Sequence, residues 1–185
     1  SGALVDLVPD AKGELSEEIA KTIRKIGEPA IQRLVQRFQR APNDEKTAYR
    51  QMCIDVGPEV TPVLVATLKG QSAFQNRYNY EVLVALKNPR VAGLMIVSID
   101  DEEVGELIKE GLIKLGRLST NAVIKELKNR QMDTENQEGK IRLIQVLGET
   151  NAQSAIPLLE ALANTDLNEN VKAEANHALR GVRGF

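Results

Sequence analysis

Tryptophan is absent from this sequence, and histidine and cysteine each occur only once. Phenylalanine and tyrosine together account for 3% of the 185 residues. A lone cysteine excludes an internal disulfide and a cysteine-based zinc site. A lone histidine leaves almost no material for a histidine metal site or a nucleophile–base pair. We therefore expect a protein that is not an enzyme and that carries no cofactor and no metal.

Long apolar runs and a strong charge of either sign are also missing. No run approaches the roughly 18 apolar residues of a membrane-spanning helix. Charged residues make up 27% of the chain and the net charge is −2, which favours neither nucleic acid nor a membrane surface as a partner. Glycine-rich phosphate loops of the G-x-x-x-x-G-K-[ST] or G-x-G-x-x-G type do not occur. These features predict a cytoplasmic protein with no membrane segment.

The N-terminal residues differ from the rest of the chain. The sequence begins Ser1-Gly2 without an initiator methionine, as a cleaved affinity tag would leave it. We expect residues 1–14 to be a tag remnant and an N-terminal tail, and the whole to be part of a longer parent chain. Residues 3–8 are either a linker or a tail that covers the open side of the first helix. The apolar residues of such a cover are Leu4, Val5, Leu7 and Val8.

A regular repeat is the main feature that the sequence does contain. An apolar residue recurs six times, at intervals of 30, 30, 29, 32 and 32 residues. A period of this length is typical of a stacked array of helix pairs. Glycine follows four of the six positions, where it would end the first helix (A) of a pair. The six positions are Ile26, Val56, Leu86, Leu115, Leu147 and Leu179, and the glycines are Gly27, Gly57, Gly116 and Gly148.

The second helix (B) of each pair follows the glycine. Proline stands near the start of three B helices, where its missing N–H costs nothing. The predicted B helices cover residues 29–40, 58–69, 89–98, 119–131 and 152–164. The first A helix is predicted over 16–26 and the last over 169–183, where its polar outer face suits a cap.

The fifth repeat carries a recognisable motif. It reads Val146-Leu147-Gly148-Glu149 and then Ala155-Ile156-Pro157-Leu158-Leu159, and the last A helix carries Ala178-Leu179. These residues resemble HEAT repeats, in the short form named after phycobilisome lyases. The resemblance implies an all-α fold, a right-handed α-solenoid of about five HEAT-like two-helix repeats, forming a single domain over residues 15–185.

Some proteins with HEAT-like repeats are enzymes, but the residues of this chain argue against those activities. HEAT-like deoxyhypusine hydroxylases hold two irons with several histidine–glutamate pairs, which one histidine excludes. HEAT-like DNA glycosylases use an aromatic, strongly basic cleft that has no obvious counterpart here. A lyase or chaperone subunit for a tetrapyrrole stays a less favoured alternative, because the motif matches the scaffold and identifies no pigment site.

Three groups have reactive or ligating side chains. Cys53 occupies a position that is aliphatic in the other repeats, which favours a buried, inert thiol over a nucleophile. His177 fits a surface or capping role. The acidic run at 100–103 precedes an A helix and fits a capping turn, with a weak site for a cation or a basic partner as the alternative. We assign no catalytic and no metal residue.

The B helices hold an excess of positive charge. They carry eight basic and three acidic residues. In solenoids of this kind the B helices line the concave binding face. Arg33, Arg37 and Arg40 share one face of the first B helix and would lead a basic groove. The plainer alternative is that arginine and lysine simply suit exposed helix positions.

A second candidate is the connector at residues 71–80. It holds three of the six phenylalanine and tyrosine residues, and tyrosine and arginine are favoured at interface hot spots. The alternative is that Tyr78 packs between helices. The full set of candidate partner-binding residues is Gln32, Arg33, Gln36, Arg37, Arg40, Lys69, Arg77, Tyr78, Lys125 and Lys128.

These features predict a non-enzymatic scaffold for protein–protein interaction. The expected partner is an acidic protein, or another segment of the parent chain, bound on the concave face of the B helices. The alternative is a nucleic acid bound by the same basic face.

Overall fold

The chain is all-α over the residues that the structure describes. The computed structural model describes residues 2–68, 71–131 and 134–184. These ranges contain twelve α-helices, four short 3-10 helices and no strand. The prediction of an all-α fold is therefore confirmed. The chain divides into two compact units, Ser1–Leu86 and Lys87–Phe185.

The first unit begins with a short helix that the sequence left ambiguous. Its α-helices are α1 (Gly2–Asp6), α2 (Glu14–Ile26), α3 (Glu28–Arg40), α4 (Asn43–Val56), α5 (Thr61–Thr67) and α6 (Ala73–Ala85). Short 3-10 helices lie at Val8–Asp10 and Pro58–Val60. The predicted helix over 58–69 thus starts as a 3-10 turn and continues as α5.

The second unit repeats the alternation of helices. Its α-helices are α7 (Val91–Met95), α8 (Gly105–Leu115), α9 (Arg117–Asn129), α10 (Gln137–Glu149), α11 (Ile156–Thr165) and α12 (Glu169–Arg183). Short 3-10 helices lie at Ile96–Ser98 and Gln153–Ala155. The last helix has the predicted bounds. The predicted helix over 152–164 begins instead with a 3-10 turn that precedes α11.

The N-terminal residues pack onto the first unit as a tail. Val5 and Val8 are fully buried. Helix α1 packs against α3, and the 3-10 turn that follows it packs against α4. Leu7 stays half exposed, so the apolar cover consists mainly of Val5 and Val8. Residues 3–8 therefore pack as a tail and not as a linker, but their main contacts are with α3 and α4 and not with α2, the helix that the tail was expected to cover.

Three of the four predicted glycine caps are present. Gly27, Gly57 and Gly116 have φ angles of 80°, 95° and 59°, values that an L-residue with a Cβ rarely adopts. Each follows the last residue of an A helix. In the third repeat Lys87 takes this position, with a φ of 53°.

The prediction that Gly148 caps a helix is wrong. Helix α10 continues through Gly148 to Glu149, and Asn151 adopts the left-handed conformation with a φ of 51°. Gly148 has a packing role instead: a Cβ added there would lie 3.1 Å from the Cβ of Ala178. The glycine therefore lets α10 and α12 approach closely.

Ion pairs and hydrogen bonds of charged side chains connect the elements of the second unit. Arg142 of α10 is buried, and its Nη1 donates to the carbonyl of Ile99 at 2.8 Å. Arg130 donates to Asp100 and to Glu126, at 2.7 and 2.6 Å. Because each of these charged groups has a hydrogen-bond partner within the same unit, the groups stabilise the packing of that unit.

Candidate binding surface

Helix α3 has one buried face and one polar face, as its sequence predicts. The buried residues are Ala30, Ile31, Leu34, Val35 and Phe38. The exposed residues are Gln32, Arg33, Gln36, Arg37 and Arg40. We call these five exposed residues the α3 arginine face. Four of them line a shallow cavity of about 150 Å³, so the structure brings this part of the predicted site together.

Helix α1 lies beside the α3 arginine face. The Oδ1 atom of Asp6 is 2.5 Å from Nη2 of Arg37, and both side chains are nearly half exposed. A Cβ added at Gly2 would lie 3.3 Å from Nη2 of Arg33, so this guanidinium packs against the start of α1. Arg33 and Arg40 have no carboxylate partner within the described ranges. The face therefore keeps two unpaired cations and one paired cation.

The electrostatic influence of this face extends inward to Tyr49 of α4. The ring is buried, and burial raises the pKa of the Tyr49 hydroxyl, with Glu45 and Asp6 adding to the rise and Arg37 opposing it. The phenol is consequently neutral at physiological pH, and it adds no negative charge beneath the arginines.

Arg77 and Tyr78 lie in a different pocket of the same unit. Lys46 of α4, Gln39 of α3 and Arg77 and Tyr78 of α6 border this cavity of about 300 Å³; we call it the Lys46–Arg77 pocket. The Nζ atom of Lys46 is 4.9 Å from the centroid of the Tyr78 ring, and the Cζ atom of Arg77 is 4.3 Å from it. Tyr78 thus packs between helices, as the alternative interpretation expects, and it also borders a pocket. Its role in binding a partner stays a prediction.

The start of α6 is fixed by hydrogen bonds. Ser72 and Gln75 form a reciprocal capping box, in which each side chain accepts from the backbone N–H of the other residue. Asn76 is buried and donates to the carbonyls of Leu68 and Gln71. These bonds fix the first turn of the helix, which directly precedes Arg77 and Tyr78.

The remaining predicted residues are separate from these two sites. Lys125 and Lys128 are exposed on α9 of the second unit. Lys69 lies outside the described residues. Arg130, which contributes to the positive charge of the B helices, has only 12% of its side chain exposed and pairs with Asp100 and Glu126. It is unavailable to a partner, so the basic excess on the surface is smaller than the sequence suggests.

The reactive side chains have ordinary surroundings. Cys53 is fully buried, and burial raises the pKa of its thiol far above the usual range, which agrees with the predicted inert role. His177 is exposed on α12, where it borders a cavity of about 780 Å³ in the second unit. Asp101 accepts hydrogen bonds from the N–H groups of Glu103 and Val104. The acidic run therefore forms a turn directly before α8, but no side-chain hydrogen bond caps the start of that helix.

Within the described ranges, neither a metal-binding cluster nor a membrane-spanning helix is present. Those residues contain no group of three or more histidine, cysteine, aspartate or glutamate side chains that would hold a metal ion. No helix in the same ranges has both the length and the apolar character to cross a membrane.

Two residues of the Lys46–Arg77 pocket were not predicted from the sequence. Lys46 and Gln39 carry no local motif, but the repeat period contains a usable signal. Arg50 on α4 pairs with Glu81 on α6, 31 residues later, and Lys46 precedes Arg77 by the same interval. Residues one period apart on adjacent A helices become neighbours in the structure. The interval between Lys46 and Arg77 therefore indicates that Lys46 lies beside the predicted residue Arg77.

The chain matches no family model, no curated protein and no solved structure.

Proposed function

We propose that this chain is a non-enzymatic scaffold that binds an acidic protein partner, or an acidic segment of its own parent chain, on the α3 arginine face. Arginine donates two parallel hydrogen bonds to a carboxylate and is enriched at interface hot spots. A row of arginines along one exposed helix face is suited to a partner with several carboxylates.

The observation that carries the proposal is the combination of spacing and exposure on α3. Arg33, Arg37 and Arg40 project from one side of a helix whose other side is buried. Two of the three have no carboxylate partner among the described residues. Arg37 pairs with the exposed Asp6, and an exposed pair of this kind contributes little stability. A carboxylate of the partner would therefore displace Asp6 at small cost.

We further propose that the helix pairs belong to one HEAT-like, right-handed solenoid over residues 15–185. Contacts at the repeat interval support this arrangement within each unit. Arg24 donates to the carbonyl of Asp55, 31 residues later, and Gln145 donates to Glu174, 29 residues later. A cytoplasmic location stays a prediction from the sequence.

Binding to nucleic acid is the alternative, because exposed arginines also bind phosphates. The net charge of −2 argues against a strongly basic binding surface. Salt dependence separates the two, because each phosphate contact releases counterions and makes the affinity fall steeply with salt.

The test is fluorescence anisotropy with two labelled probes of equal charge, a glutamate-rich peptide and a single-stranded oligonucleotide. We expect the peptide to bind more tightly at physiological salt. The triple variant Arg33→Glu/Arg37→Glu/Arg40→Glu should weaken this binding by about tenfold or more, because the attraction becomes repulsion.

A matched control reverses three exposed cations elsewhere, as Lys12→Glu/Lys25→Glu/Arg117→Glu. Equal losses in the control and the α3 variant would mean that only net charge matters, and the proposed face would be wrong. Tighter binding of the oligonucleotide, with a steep salt dependence, would support the nucleic-acid alternative.

A further inference from the structure

Two cations of the first unit lie against the same tyrosine ring, at a position where the spacing of the neighbouring ion pair would place a cation and a carboxylate. Along the α4–α6 pair, Arg50 and Glu81 form an ion pair with the Nη1 and Oε2 atoms 2.5 Å apart. One turn earlier on each helix stand Lys46 and Arg77. Both lie against the Tyr78 ring, with the cationic atoms 4.9 and 4.3 Å from its centroid. This pair of side chains has two positive charges and no counter-charge.

Carboxylates of the described residues do not compensate these charges. Within those ranges, neither Lys46 nor Arg77 forms an ion pair. Lys46 donates only a long bond, 3.5 Å, to the carbonyl of Gln39. Like charges that share a partly buried pocket repel one another, so an anion that entered the pocket would gain from both.

Neutral donors border the same pocket. The Nε2 atom of Gln39 is buried and has no acceptor among the described residues. A buried donor without a partner costs free energy that a ligand oxygen would recover. The Tyr78 hydroxyl accepts from Nη2 of Arg77 at 3.3 Å, which leaves its own proton available.

Arg77 is held in place before any ligand arrives. Its Nη1 donates to the carbonyl of Phe74 at 2.5 Å, and its Cζ atom lies 3.7 Å from the centroid of the Phe74 ring. The capping box at Ser72 fixes the first turn of α6, which carries Phe74 and directly precedes Arg77. A guanidinium that is already ordered loses little conformational entropy on binding.

We propose that the Lys46–Arg77 pocket binds a phosphate monoester dianion, carried by a phosphorylated side chain of a protein. The two cations match the charge of about −1.5 to −2 on a phosphate monoester at neutral pH. A carboxylate, or the phosphodiester of a nucleic acid, carries one negative charge and would leave one cation uncompensated. The site is separate from the α3 arginine face and does not depend on the function proposed for that face.

The test is calorimetric titration with a phosphoserine peptide, its unphosphorylated form, inorganic phosphate and an oligonucleotide without terminal phosphates. We expect the phosphopeptide to bind best and the unphosphorylated peptide not at all. Affinity should fall between pH 7.5 and pH 5.5, because the second pKa of a phosphate monoester is about 6 and the monoanion loses half of the charge.

Two variants locate the binding. Arg77→Gln should weaken phosphopeptide binding by about tenfold or more, since a hydrogen bond to a charged group contributes that much. Lys46→Glu should abolish binding while it keeps the melting temperature, because the new carboxylate would pair with Arg77 as Glu81 pairs with Arg50. The control Lys25→Gln removes an exposed cation of α2 and should leave the affinity unchanged.

Several outcomes would overturn the proposal. They are equal affinity for the two peptides, phosphopeptide binding that survives Lys46→Glu, and preference for the oligonucleotide over the phosphopeptide. Tight binding of inorganic phosphate without a gain from the peptide would assign the pocket to a free phosphate and would contradict the protein-borne source. Because the arginines of α3 are intact in all these variants, failure here is distinct from failure of the α3 arginine face.

Discussion

The carboxylate of Asp6 lies 2.5 Å from the guanidinium of Arg37, so the N-terminal helix supplies a negative charge to the surface that we propose for an acidic partner. The remaining α3 arginines, Arg33 and Arg40, have no such partner within the described ranges. Helix α1 is anchored by Val5 rather than by this exposed pair, because Val5 is fully buried. The ion pair can therefore be removed without detaching the helix.

Removal of the Asp6 charge should strengthen binding of an acidic partner. In Asp6→Asn, Arg37 is released, and the glutamate-rich probe no longer competes with an internal carboxylate. We expect a gain of about 1.4- to fivefold in affinity, since an exposed ion pair is worth about 0.2–1 kcal/mol. The measurement is the anisotropy titration described above. The control Asp10→Asn removes an exposed acidic residue that forms no ion pair with the α3 arginines, and an equal gain there would mean a general charge effect.

Two glycines in helices of the second unit should respond in opposite directions to alanine. A Cβ at Gly139 would lie 1.8 Å from Oδ1 of Asp100, which Arg130 holds at 2.7 Å, whereas Gly93 has no heavy atom within 4 Å. We expect Gly139→Ala to lower the free energy of unfolding by about 1–3 kcal/mol, because Asp100 must leave Arg130.

Gly93→Ala is the matched control and should raise the free energy of unfolding by roughly 0.5–1 kcal/mol through backbone entropy. Urea denaturation measures both variants. A stable Gly139→Ala protein would show that the Asp100–Arg130 pair contributes little to the unit.

The pattern of α3 was predictable because it depends only on residues within one helix. Its buried and exposed faces follow from the helical period. The positive φ angles at Gly27 and Gly57 were likewise predictable, because glycine follows the last apolar residue of the helix at each position. The Lys46–Arg77 pocket was not predicted, because it needs contacts between helices one repeat apart. The residue with positive φ after α10 was predicted at Gly148, but it lies at Asn151. Close packing against Ala178, which lies in another helix, explains that glycine.

Stability on the acid side should depend on Glu106. The hydrogen bond from Lys109 lowers the pKa of Glu106 and Arg142 adds to this effect, while burial opposes it. A group with a lowered folded pKa stabilises the protein above its unfolded pKa of about 4.3, and this contribution is lost as the pH falls through the folded pKa.

Glu106→Gln is the variant that tests this dependence. The difference in unfolding free energy between wild type and Glu106→Gln should be largest at neutral pH and should shrink below about pH 4.3. Urea titrations at several pH values measure it. A difference that stays constant down to low pH would contradict the role of the Glu106 charge.

The buried ion pair of the second unit should show a strongly non-additive response to substitution. Lys140 and Asp166 have side chains only 2% and 3% exposed, and Nζ lies 2.9 Å from Oδ2. The other carboxylate oxygen accepts from the N–H of Asn168 at 2.9 Å, a bond that asparagine at position 166 would keep. We expect Asp166→Asn to cost about 3–5 kcal/mol, because it leaves the Lys140 ammonium buried without a counter-charge.

The double variant Lys140→Met/Asp166→Asn removes that uncompensated charge and should recover most of the loss, so that a double-mutant cycle gives a large coupling energy. Additive single costs would mean that the two charges do not depend on each other, and the ion pair would then have no specific role in the packing of α10 against the turn that precedes α12.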